Sequence, residues 1–216
     1  PLHHTNRPVS VQPVPAIDDR KNKWVFFGTG RYLSLGDKTS TATQGLYGIK
    51  DDDSGTVVGT GELLNVTATA VYTDRTLAFP PLSVSGAAIT TFDELEDEID
   101  EHAGGWYMDL PPILGTAGLV PATRSITDQA LLGGVLFSSV FQPSSDPCTG
   151  EGLSRLYGMY YKTGTAYPGP TILGSTPENA GGAVKLRSLR YMDLGRGVAT
   201  APAIHSGARS GAGRLF

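Results

Sequence analysis

Gly105-Trp106-Tyr107-Met108-Asp109-Leu110-Pro111 decides the fold, because a near copy, Arg190-Tyr191-Met192-Asp193-Leu194-Gly195, returns 84 positions later. A strand-like run of small and β-branched residues follows each copy, over 124–131 and 197–204, and a third such run, 9–17, opens the chain. Each run leads into one ending in an aromatic: Trp24 to Phe27, Val135 to Phe137, and Arg214-Leu215-Phe216. Leu156-Tyr157-Gly158-Met159 answers Leu46-Tyr47-Gly48-Ile49. Features recurring in fixed order are the signature of a repeat architecture. Four short strands per unit is the plan of a β-propeller blade.

The predicted fold is therefore all-β, part of a β-propeller: about two blades and the start of a third, with one inserted acidic helix. Residues 1–8 read as an extended linker. The first blade spans 9–111 with an insertion at 56–104, the second 124–195, and a partial blade 197–216. Two and a half blades cannot close a ring, so a piece of a longer protein is expected. Gly 28 and Pro 15 in 216 residues suit many short strands joined by turns. Hydrophobic residues at 39% and charged ones at 18% are enough for a core and argue against wholesale disorder. A net charge of −4 gives no electrostatic reason to expect nucleic acid. No apolar run approaches the roughly 18 residues that a membrane-spanning helix needs.

Within the first blade, strands are predicted over 9–17 and 23–29, the latter extended by 31–37, and then over 45–50, 56–58 and 63–72. Residues 76–90 read as a loop. Thr91 can cap a helix over 91–102, with Glu94 completing a capping box and Phe92, Leu95 and Ile99 on one face. Gly104-Gly105 ends that helix and releases a strand over 106–110. In the second unit the strands are 124–131, 134–142, 153–161 and 189–194.

Little in the chain points to catalysis. Asp51-Asp52-Asp53-Ser54-Gly55 places carboxylates at alternate positions, so Asp51 and Asp53 are candidate calcium ligands, although the distal acid of such a loop lacks a clear counterpart beyond Glu62. The other reading is a solvated hairpin turn. Histidines 3, 4, 102 and 205 have no zinc spacing. Gly28-Thr29-Gly30 lacks the third glycine of a dinucleotide loop, and no nucleophile elbow or P-loop lysine occurs. The recurring tryptophans and tyrosines read as core. The helix carries seven acids, so a solvated or partner-facing surface is expected, with Phe92, Glu94, Asp97, Glu98 and Glu101 as the contacting residues. Insertions between strands are where function is carried, so the helix 91–102 and the loop 76–90 together are the expected partner-contacting feature, and exchange of 76–104 for a Gly-Asn turn is expected to spare folding and damage assembly or adhesion.

Trp24-Val25-Phe26-Phe27-Gly28-Thr29-Gly30-Arg31-Tyr32-Leu33, with Gln44-Gly45-Leu46-Tyr47-Gly48-Ile49 behind it, resembles a segment of the PilY-type proteins associated with type IV pilus tips. Gly105 to Pro111 is similar to that family's "GWY-x-DLP". Thr127-Asp128, Val135-Leu136-Phe137, Ser145-Asp146-Pro147-Cys148 and Leu156-Tyr157 follow its later motifs, so that the resemblance covers about 9–161 in order. The resemblance implies the C-terminal propeller of a large exported, cell-surface protein, non-enzymatic, that supports pilus extension and retraction, minor-pilin contact, and adhesion to a host or abiotic surface. The remainder of the same propeller would be a further partner. An oxidising compartment follows, which makes Cys148 either a free thiol or one half of a disulfide to a cysteine elsewhere. The chain departs from the family in lacking a complete Asp-x-Asp-x-Asp calcium loop, and 162–189 matches nothing in it. Two other readings stand beside this one: a quinoprotein-like propeller dehydrogenase, and a scaffold subunit of a surface filament.

Overall fold

The computed structural model describes residues 2–51, 53, 55–146 and 151–203. Its first sheet begins with β1 (Val14–Ile17), β2 (Lys23–Gly28) and, after a short helix α1 (Leu35–Thr39), β3 (Gly45–Asp51). A long excursion follows, holding β4 (Leu64–Asn65), β5 (Ala70–Val71), β6 (Leu77–Ala78) and the helix α2 (Phe92–Glu101). The chain then returns as β7 (Gly105–Asp109). The second sheet uses β8 (Ala130–Leu132), β9 (Val135–Pro143) and β10 (Gly152–Tyr160). Its own excursion is the hairpin of β11 (Ser175–Ala180) and β12 (Ala183–Ser188), and β13 (Tyr191–Arg196) completes it.

The spatial order is β1-β2-β3-β7-β4 in one sheet and β13-β10-β9-β8 in the other. Each therefore contains an antiparallel four-strand meander, β1-β2-β3-β7 and β8-β9-β10-β13. The repeated Tyr-Met-Asp lies on the fourth strand of each. The two aspartates play similar parts there: Asp109 pairs with Arg7 at 2.7 Å and Asp193 with Arg155 at 2.6 Å. Both excursions leave the meander at the same point, between its third and fourth strands.

Alternation along the strands builds the core. Trp24 and Phe26 on β2, Leu46 on β3 and Trp106 and Met108 on β7 share one face of the first sheet. They meet Leu136, Val140, Tyr157 and Met159 of the second in one buried cluster. Trp106 is its keystone: its indole Nε1 donates to the Tyr161 carbonyl at 2.8 Å, joining the two sheets. Gly48 makes room for that ring, since a Cβ there would lie 2.5 Å from an indole carbon. Gly48→Ala is expected to overpack the site and cost about 1–3 kcal/mol, read as a lower denaturant midpoint at unchanged slope. The opposite face of the first sheet is covered by the N-terminal segment. Leu2 packs there beside Tyr47 and Ile49, and His3 bridges to Val58. Residues 2–8 are thus a packed cover, not the linker expected.

Other local expectations are corrected by short-range hydrogen bonds. Residues 31–37 do not extend β2, because Ser34 and Asp37 form a capping box that starts α1. The expected strand 63–72 is broken into β4 and β5. Asn65 Oδ1 accepts from Thr67 N at 3.0 Å and Thr67 Oγ1 at 2.6 Å, a local turn that competes with the ladder. The runs 9–17 and 124–131 are strand only over 14–17 and 130–132, with isolated bridges at Val9 and Arg124. Residues 56–58 contribute one bridge, residues 197–203 form no strand, and 204–216 lie outside the described residues.

Candidate functional site

The two excursions pack on each other and form a lobe beside the sheets. Tyr72, just beyond β5, bridges to Arg187 of β12, and Thr73 N donates to the Leu186 carbonyl at 2.8 Å. Lys185 Nζ reaches Asp74 at 2.9 Å and Thr76 Oγ1 at 2.7 Å. Arg190, at the root of β13, donates from Nη1 and Nη2 to the Val66 and Thr67 carbonyls at 2.8 and 2.7 Å. Residues 162–189, which matched no motif, are thus half of the lobe.

Helix α2 forms where expected. Thr91 accepts from Glu94 N, and the Glu94 carboxylate returns to Thr91 N at 3.0 Å. The same carboxylate takes Thr90 N and Oγ1 at 2.7 and 2.8 Å, so one oxygen of Glu94 serves the helix start while the residue stays exposed. Phe92, expected at a contact surface, is fully buried beneath Tyr160 and Tyr167, with the Arg75 guanidinium 5.3 Å from its ring centroid. An amphipathic helix spends its apolar stripe on the core. Phe92, Leu95 and Ile99 all follow that rule here.

The acidic face is neutralised from within. Lys162, whose side chain is 4% exposed, stands 2.8 Å from Asp19, 3.5 Å from Glu96 and 3.4 Å from Asp100. Arg20 faces Asp100 at 3.3 Å and Asp97 and Glu101 at 3.9 Å each. Lys50 Nζ donates to the Asp100 carbonyl at 3.0 Å, where the negative end of the helix dipole favours a cation. Burial works against the Lys162 ammonium, but the Asp19 hydrogen bond and the Asp100 and Glu96 charges outweigh it and hold its pKa well above the ordinary range. The cluster ties the helix to a turn of the first sheet and to the end of β10. Among the expected contact residues, Glu94, Asp97 and Glu101 are exposed.

Glu98 turns inward instead. Its carboxylate accepts from Val84 N at 2.6 Å, Ser85 N at 2.8 Å and Ser85 Oγ at 2.6 Å. Burial opposes ionisation there, and these hydrogen bonds outweigh it and lower the pKa. On the other flank Thr69 Oγ1 donates to the Phe79 carbonyl at 3.0 Å. Between the two ties the chain reads Phe79-Pro80-Pro81-Leu82-Ser83-Val84, with Phe79 73% and Leu82 93% exposed and Val84 exposed as well. An apolar loop fastened at both ends is preorganised for contact, since little ordering entropy is left to lose. The sequence points to both the loop 76–90 and the helix 91–102 of this insertion, with the named contact residues all on the helix. The signal for the loop was the Phe-Pro-Pro-Leu run itself.

The remaining candidates do not converge. Asp53 holds Lys23 Nζ at 2.6 and 2.7 Å, and Asp51 Oδ1 accepts from Asp53 N at 3.0 Å. A calcium ion there would have to displace that ammonium. Glu62 is turned to Gly59 N, and among the described residues no three His, Cys, Asp or Glu side chains are grouped to hold a metal. Cys148 lies outside the described residues. No described helix is long and apolar enough to cross a membrane.

The crystal structure of the Pseudomonas aeruginosa PilY1 C-terminal domain superposes on 93% of this chain with a TM-score of 0.55, at 16% sequence identity. The chain has the fold of a PilY-type C-terminal domain. It spans 41% of that solved chain. A second similarity comes from sequence: the type IV pilus biogenesis factor PilY1 homolog of Xylella fastidiosa is 32% identical over 145 residues, 66% of this chain. The chain spans only 10% of that relative's length. No family model matches. The resemblance carried by Gly105–Pro111 and its companions is thus met in both sequence and fold, and the all-β, propeller-like architecture with it.

Proposed function

We propose that the chain is a binding module of a type IV pilus-associated protein, acting without catalysis at the cell surface after export through the periplasm. Its sheets form part of a propeller that further polypeptide completes, which is supported by the 41% coverage of the solved domain. The lobe is the contacting element. The observation that carries this reading is the exposed loop 79–84, held between Glu98 and Thr69 with its apolar side chains outward. Contiguous exposed apolar residues mark interaction sites. The partners are minor pilins or pilus tip subunits on one side and a host or abiotic surface on the other, with pilus assembly, retraction and adhesion as the processes served.

The variant F79S/L82S/V84S tests it in the native organism. All three side chains are exposed, so unfolding should match wild type while piliation or surface attachment falls at least several-fold. Full piliation and attachment at equal protein level would refute the assignment of the lobe.

A further inference from the structure

The apolar loop and the acidic helix belong to one surface. At its base the loop is closed where Leu77 N donates to the Thr90 carbonyl at 2.9 Å, and Ile89 is buried in the main cluster. Its outer part is tied to α2 by the Glu98 carboxylate, which holds Val84 N and Ser85 N. Residues three and four apart on a helix are neighbours, with Cβ atoms about 5–6 Å apart. Glu94 and Glu101 therefore flank Glu98 along the helix, and Asp97 lies beside all three. Glu94, Asp97 and Glu101 are exposed.

The cations that meet α2 do not cover all seven of its acids. Arg75 holds Asp93, and Lys162 stands against Glu96 and Asp100. Lys50 donates to a backbone carbonyl at the helix end. Arg20 reaches Asp97 and Glu101 at 3.9 Å each, and His102 Nε2 lies 4.0 Å from Glu101. Glu94 and Glu98 have no cation within ion-pair distance among the described residues. Hydrogen bonds from Thr90 lower the Glu94 pKa, and at Glu98 those from Ser85 and Val84 outweigh the burial that opposes ionisation. The surplus negative charge thus lies on the side of the helix that carries the loop.

A protein interface has an apolar core and a polar rim. Phe79, Leu82 and Val84 supply such a core here, and Glu94, Asp97 and Glu101 an acidic rim. Charge across an interface selects partners by sign, because like charges brought together cost affinity. A second copy of this chain would set acid against acid, and an anionic lipid surface would do the same. We propose that the lobe docks into an apolar socket rimmed by lysines and arginines on a partner protein. This rests on the loop as the contacting element and adds to it the chemistry of the partner.

Three helical peptides of one pattern are the probes: a leucine stripe flanked by lysines, the same stripe flanked by glutamates, and the lysine peptide with serines in place of leucines. They are titrated into the isotope-labelled 216-residue chain and followed by NMR. The leucine–lysine peptide is expected to shift the amide signals of 79–85 and of Glu94, Asp97 and Glu101 saturably, and the other two to leave them in place. The variant E94Q/D97N/E101Q keeps the capping box, which glutamine also completes, and should melt with wild type. Its affinity for the leucine–lysine peptide should fall roughly tenfold, since exposed charges are each of modest strength. The weakening of binding by salt should diminish with it. Equal binding of the glutamate peptide means contact by the apolar loop alone, and equal binding of the serine peptide means attraction by charge alone. Either overturns the proposal, as does unchanged affinity in E94Q/D97N/E101Q or the absence of a saturable shift with any peptide. Phosphatidylglycerol vesicles that shift the same signals would assign the loop to a lipid surface and overturn it as well. The loop's own assignment fails separately, when F79S/L82S/V84S keeps full piliation and attachment. Loss of attachment in that variant, together with any of the contrary peptide results, leaves the loop as the contact and removes the basic-rimmed partner.

Discussion

Replacement of residues 76–104 by a Gly-Asn turn is expected to unfold the chain, not to trim a contact from it. Phe92, Leu95 and Ile99 are fully buried, and Leu95 and Ile99 lie in the same cluster as Trp24 and Trp106. Truncation of a single such side chain costs about 2–5 kcal/mol. A domain of this size has about 5–15 kcal/mol in all. Losing three at once consumes most of that, and the excision also strips Lys162, Lys50 and Arg20 of their helix partners. Far-UV circular dichroism and thermal melting decide it: absence of a cooperative transition is the expected result. A variant melting within a few degrees of wild type would show that the excursion is an appendage after all.

Lys162→Met is the second large effect. The Asp100 side chain is 1% exposed, its Oδ1 already lacks a donor, and Oδ2 faces Lys162 at 3.4 Å. Leaving a buried charge wholly unpaired costs about 3–5 kcal/mol, and because Arg20 stays 3.3 Å from Asp100 the expected cost lies at the low end of that range. The pH dependence identifies the cause. A lysine whose folded pKa is raised contributes stability that is complete below about 10.4 and is lost as pH rises beyond it. Wild type should therefore lose stability on the alkaline side in a way that K162M does not. On the acid side the Asp19 carboxyl is held low by its hydrogen bond from Lys162. Its contribution is present above about pH 3.9 and lost as pH falls below, and K162M should flatten that limb. Asp37, lowered to about 2 by Arg31, and Asp74, lowered to about 2 by Thr76 and Lys185, keep their acid dependence in both proteins. Urea unfolding across pH checks this. A loss under about 1 kcal/mol with parallel pH profiles would contradict the clamp.

The repeat was legible because it is a matter of periodicity and order. Trp24 to Phe27, Leu46 to Ile49 and Gly105 to Leu110 each declare a buried strand, and the capping box Thr91-x-x-Glu94 declares a helix start. Two kinds of feature were hidden. The first is local competition: Ser34 with Asp37 and Asn65 with Thr67 divert the chain by side-chain hydrogen bonds that hydrophobic patterning does not register. The second is partnership at long range. Seven acids on one helix read as a surface until Lys162, Arg20 and Lys50 arrive from distant positions. Glu98 looked like any of them until it closed on Ser85. Residues 162–189 had no motif because their order comes from packing against the first excursion.

The most direct test of membership in a pilus-associated assembly is the intact mass and composition of the native particle that contains this chain, by mass spectrometry and sizing. The expected result is a polypeptide several times longer than 216 residues, co-purifying with pilus subunits. A particle free of pilus subunits, with this chain on its own, would contradict it.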